Sequence, residues 1–174
     1  MLARWVAAAA VLLFAACAPP SADEDRAAHA GDSGEAAPAN ADAAALGGAP
    51  MEGVWSRNGD GATVSAGFGA PESEYLFIVV CDGGTGRVRI DYEHELAPDQ
   101  DTILRVITEA ATIELPARSF NEGLPTVSAE LAGSDARLTA LAATGQERFA
   151  VEVAGEISVL PWDEAIALTL AGCA

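Results

Sequence analysis

Three thiols, two imidazoles and twenty-six carboxylates are the groups of this 174-residue chain that could do chemistry, and their spacing narrows what that chemistry is. His29 lies in a polar N-terminal segment and His94 in a predicted strand. With the cysteines engaged elsewhere, they leave no zinc ligand set, and no metal or other cofactor is expected. Asn58-Gly59-Asp60-Gly61 and Asp99-Gln100-Asp101 offer oxygen ligands, but neither follows the spaced Asp/Asn loop with a terminal Glu that calcium loops use, so both are read as turns. Nucleophilic catalysis lacks its usual frame. There is no G-x-S-x-G elbow, and without a single Lys no S-x-x-K pair. The glycine clusters Gly67-Phe68-Gly69 and Gly83-Gly84 read as turns, since neither opens a helix as a phosphate cradle does. A hydrolase of envelope material would need His94, or an acid pair, in an open cleft. His94 falls on the apolar side of its strand near the end, the place of a partly buried packing residue. Phe120 stands beside polar residues in Arg118-Ser119-Phe120-Asn121-Glu122-Gly123, read as a loop. His94 and Phe120 are the two candidates for facing a ligand, and the expectation is that the protein is not an enzyme.

The thiols are more informative. Arg4 is followed by an uninterrupted apolar run from Trp5 to Ala16 and then by Cys17. A short positive region, an apolar stretch too short to span a bilayer and small residues at its end are the layout of an export signal. Phe14-Ala15-Ala16-Cys17 resembles the lipobox of bacterial lipoproteins, with Phe14 in place of the usual Leu. The resemblance implies cleavage before Cys17, lipidation of its thiol, and anchoring by several acyl chains, palmitate among them. Ala18, rather than Asp, follows the cysteine, and in that family this implies the outer membrane, facing the periplasm of a Gram-negative bacterium. Each buried methylene contributes about 0.8 kcal/mol, so several chains hold where one would not. An odd cysteine count becomes even once Cys17 carries lipid. Cys81 and Cys173 are then expected to pair in an oxidising compartment.

Composition divides the rest. Residues 18–50 are almost entirely Ala, Gly, Pro, Ser, Asp, Glu and Asn, with Leu46 the one large aliphatic, and too little apolar area to offset ordering. Residues 17–50 are therefore expected to be a lipid-anchored flexible tether with a span on the order of 30 Å. Residues 51–174 are expected to form a single domain, long enough to bury roughly two-thirds of its unfolded surface. This part carries twenty Asp and Glu against seven Arg. That balance excludes a phosphate-binding face and so nucleic acid, and favours a cationic partner or simple solubility.

The elements that must position these residues are mostly short strands. Tyr75 to Cys81 is continuously apolar and reads as a strand covered on both faces. Asp82 to Gly86 turns the chain, and from Arg87 to Leu96 apolar residues alternate with charged ones, which predicts an antiparallel hairpin. Further strands are predicted over 62–68, 102–108, 111–115, 126–131, 148–153 and 156–160. Ser134 would cap a helix over 135–143, and Pro161 would open one over 162–170. In the latter, Trp162, Ile166, Leu170 and Cys173 share a stripe that would face the strand of Cys81. The predicted class is α+β, a mainly antiparallel sheet or partly open barrel with a C-terminal helix packed on it. The strand ending Cys81-Asp82-Gly83-Gly84, with its alternating partner, looks like the first hairpin of membrane-bound lysozyme inhibitors, small stapled periplasmic lipoproteins. The S-G-x-x-Y inhibitory motif of that family is absent, so the likeness implies architecture and transfers no inhibitory residue. The functional expectation is a non-enzymatic envelope lipoprotein, a tethered binding or structural module. Its alternatives are an inhibitor or scavenger of a cationic periplasmic protein, or an envelope hydrolase.

Overall fold

The computed structural model describes residues 39–59, 61–121 and 123–174. The leader, Cys17, His29 and the tether as far as residue 38 lie outside them. Nine strands form one antiparallel sheet: β1 (Val54–Asn58), β2 (Thr63–Gly69), β3 (Phe77–Asp82), β4 (Arg87–Glu93), β5 (Asp101–Ile107), β6 (Thr112–Phe120), β7 (Thr126–Ala132), β8 (Arg148–Val153) and β9 (Glu156–Pro161). Their order is β1-β2-β3-β4-β7-β6-β5-β8-β9. Among the described residues three short helices accompany them, α1 (Ala39–Ala45), α2 (Leu138–Ala142) and α3 (Glu164–Leu170). The sheet curls into a half-barrel, so the expected α+β class with a partly open barrel and a C-terminal helix is what the chain adopts.

Period-two alternation places the core. Val88, Ile90 and Tyr92 of β4 point inward, as their spacing demands, against Phe77, Val79 and Cys81 of β3. β3 is not covered on both faces as its composition suggested. Ile78 and Val80 are only half-buried, because the outer face at this point carries just the polar side chains of neighbouring strands. Trp55, Phe68, Phe77 and Phe149 meet inside at centroid separations of 5.3–6.4 Å. Trp55 also links the two edge strands, since its Nε1 donates to the Pro161 carbonyl at 2.8 Å. β1 itself has no counterpart among the predicted strands, because Trp55 is the one large side chain that it sends inward.

β6 runs through Pro116 to Phe120, beyond the predicted stop at Leu115. The missing N–H of Pro116 is tolerated because β6 pairs with β7 only over Arg118–Phe120, while Pro116 faces Ile103 of β5. α2 is shorter than expected, and Ser134 does not cap it. The Asp135 side chain accepts from the Arg137 backbone N–H and binds its guanidinium, which holds the preceding residues in a turn. α3 starts two residues later than expected. Asp163 caps it, accepting from the Ala165 N–H at 2.8 Å, while Pro161 ends β9 and Trp162 still donates to the Glu147 carbonyl.

Ile166, Leu170 and Cys173 are buried against the sheet, and Cys173 is disulfide-bonded to Cys81 with Cα atoms 5.7 Å apart. Closing a separation of 92 residues restricts the unfolded chain by roughly 4–5 kcal/mol in the loop-entropy account. Gly133 lies against this corner. A Cβ there would come within 2.2 Å of the Cys173 carbonyl oxygen, so no larger residue fits beside the staple.

Ordered packing begins before the compositional boundary at 50. The described residues from 39 onward form one compact unit. Ala45 and Leu46 pack on Ile107, Ala150 and Val159 on the outside of the sheet, and the Met51 N–H donates to the Val159 carbonyl along the β9 edge. Asp42 accepts from Arg105 at 2.8 Å and from Thr112 at 2.7 Å. The Thr112 hydroxyl, and then Arg105, hold the Asp42 carboxyl below its ordinary range. Arg105 also binds Glu152, so this one guanidinium ties α1 to two strands. Composition missed the strap because Ala and Gly suit an exposed coil and a close-packed cover equally well.

Candidate functional site

The two residues singled out for facing a ligand come to one corner of the fold, where the chain leaves β4, crosses to β5, and later turns from β6 to β7. His94 follows β4 directly, and its backbone N–H donates to the Pro125 carbonyl. Its ring stacks on Tyr92, with centroids 6.1 Å apart and planes 15° apart. The His94 side chain is 11% exposed, and its Nδ1 lies 3.8 Å from a carboxylate oxygen of Glu156 at the start of β9. It is thus the partly buried packing residue that its place in the strand suggested. Beneath it the Tyr92 hydroxyl donates to Ser158 Oγ at 2.8 Å, and burial pushes that phenol up, which keeps it a donor.

The loop after His94 is held from below. Ser119, fully buried in β6, donates to the Ala97 carbonyl and accepts from the Gln100 N–H, and Asn121 donates to the Leu96 carbonyl. Sequence reasoning missed Ser119. The signal was a lone hydroxyl at an inward position of an alternating strand, where a hydroxyl must find partners. Asp99 and Asp101 do not form a cation site: they flank Arg118 at 3.3 and 3.4 Å. Phe120 is the last residue of β6, opposite Thr126, and not a loop residue as read from its polar neighbours. It is nonetheless 48% exposed.

These elements enclose an open groove of about 760 Å³ lined by His94, Glu95, Leu96, Pro98, Asn121 and Glu156 among others. Pro98 and Asn121 also line a smaller depression of about 240 Å³ that reaches Phe120. Among the described residues that line the groove there is no hydroxyl or thiol, so its chemistry is carboxylate charge, one imidazole and an amide. No group of three His, Cys, Asp or Glu side chains capable of holding a metal occurs among the described residues. No helix among them is long and apolar enough to cross a membrane.

Charge elsewhere is arranged by pairing. Arg87 binds Glu130, Arg89 binds Asp91, Arg105 binds Asp42 and Glu152, Arg118 binds Asp99 and Asp101, Arg137 binds Asp135 and Arg148 binds Glu147. Six of the domain's seven arginines are thus matched by neighbouring carboxylates. Glu52, Glu72, Glu74, Glu95, Glu109 and Glu164 stand exposed. Comparison of the chain with protein families, with curated proteins and with solved structures found nothing that matches it.

Proposed function

We propose that the protein is a non-enzymatic envelope lipoprotein, anchored through lipid on Cys17, whose stapled domain acts as a tethered binding module for a cationic partner. The observation that supports the partner is the distribution of charge. Six arginines are matched within the domain, so the acid excess faces solvent as a field that draws in cations and repels anionic surfaces. The anchor rests on the leader ending Phe14-Ala15-Ala16-Cys17. A module held at a membrane acts by holding or occupying its partner, and a cationic periplasmic protein whose activity it blocks or whose excess it removes is one such partner.

Two measurements test the reading. Cells fed labelled palmitate should incorporate it into the wild-type protein and not into a Cys17→Ser variant, which should leave the membrane fraction. Crosslinking in intact envelopes followed by mass spectrometry should return basic proteins, and their capture should fall steeply as ionic strength rises from low to physiological. An unlabelled wild-type protein would remove the anchor, and salt-independent capture would remove the cationic partner.

A further inference from the structure

The β5–β6 hairpin has different equipment at its two ends. At its tip, around Thr108–Thr112, sits α1, through which the chain enters the domain from its N-terminal side. At its base lie the His94 groove and Phe120. β5 has seven residues, so the two ends stand roughly 20 Å apart at the strand rise. The groove at the base therefore lies a strand's length away from α1.

At the base, exposed apolar surface and acid lie close together. Phe120 is 48% and Leu124 41% exposed, at the end of β6 and in the turn that follows. Glu95 and Glu156 line the groove beside them, while Arg118, the neighbouring cation, is already held by Asp99 and Asp101. An exposed aromatic in a depression that shares Pro98 and Asn121 with an acid-lined groove suits a protein contact, the apolar part giving affinity and the acids selecting partner charge and speeding encounter.

We infer that this corner is the surface that receives the partner, and that its occupant is a basic protein segment carrying an aromatic or large aliphatic side chain. The apolar side chain packs on Phe120 and Pro98, and a neighbouring Arg or Lys reaches across Pro98 and Asn121 to Glu95 or Glu156 in the adjoining groove. This deepens the binding-module reading and rests on it for the partner's charge. An acidic segment or an anionic headgroup would meet uncompensated carboxylates, and a second copy of the chain would bring its own acid excess.

The test uses the full mature chain, ¹⁵N-labelled and titrated with the hexapeptide Arg-Trp-Arg-Trp-Arg-Trp. Amide shifts are expected to move at 94–97, 99, 119–121, 123–124 and 155–157 and to stay fixed at the hairpin tip, 108–112. Phe120→Ala and the double variant Glu95→Gln/Glu156→Gln should each weaken binding about ten-fold while keeping the dispersed spectrum of the folded chain. The peptide Glu-Trp-Glu-Trp-Glu-Trp should not bind. Shifts spread over the whole acidic surface, unchanged affinity in both variants, equal binding of the acidic peptide, or no binding at all would each overturn the inference. Palmitate labelling fails or succeeds independently of this titration, so loss of the anchor and loss of the groove are told apart.

Discussion

At the residue scale, acids in this chain do several jobs that composition cannot separate. Asp163 caps α3, Asp42 fastens the strap to Arg105 and Thr112, Asp99 and Asp101 flank Arg118, and Asp135 holds Arg137, while Glu95 stays exposed at the groove. The Asp135 case has a measurable consequence. Hydrogen bonds from the Arg137 side chain, and then from its backbone, hold the Asp135 carboxyl at about 2. Depression below the unfolded value of 3.8 means a contribution to stability that is present above about pH 4 and is lost as pH falls toward 2. A carboxyl-detected NMR titration should place its midpoint near 2, and Arg137→Ala should return it toward the ordinary aspartate range. A wild-type midpoint near 4 would contradict the assigned pair. His94 and Phe120 were legible as candidates from their neighbours, but their meeting at one corner was not. It depends on the β4–β5 crossover, the β6–β7 turn and the start of β9 arriving together, and on Ser119 holding the loop between them.

At the element scale, alternating strands were readable to within a residue or two at β7 and β8, because each such position chooses between core and water on its own, while β4 stops at Glu93, three residues before the predicted end at Leu96, where the chain turns off toward β5. Elements decided by competition were not. The start of α2 was lost to the Asp135 turn, and the extension of β6 depended on how far its neighbour pairs beside Pro116. The strap over residues 42–51 is the largest such case, since its few apolar atoms find Ile107, Ala150 and Val159 only in the folded sheet. Uncovering these three side chains should matter. A chain starting at Met51 is expected to be about 2 kcal/mol less stable in urea than one starting at Ala37, from lost apolar burial alone. Equal midpoints for the two would mean that the strap lies on the sheet without holding it.

At the scale of the whole molecule, the half-barrel has two edges that must be managed, and Trp55 manages both. Its ring fills the aromatic core against Phe68, Phe77 and Phe149, and its Nε1–H binds the last carbonyl of β9. Trp55→Phe should retain most of the packing and lose the edge-to-edge hydrogen bond, costing about 1 kcal/mol and raising hydrogen exchange at Met51, Trp55 and Trp162 more than at the β3–β4 hairpin. A uniform change across the sheet would show that the seam opens only with global unfolding. The amino-acid sequence by itself determined the acid excess, the export-like leader, the hairpin of β3 and β4, the pairing of Cys81 with Cys173 and the α+β class. These follow from local spacing and from counting, which need no partner elements. Only the tertiary structure decided the strand order, the Trp55 seam, the strap over the outer face and the corner where His94, Phe120 and Glu156 converge. Each of these depends on which distant surfaces meet once the sheet curls, and period-two alternation places a residue inside or outside without saying what it will touch there.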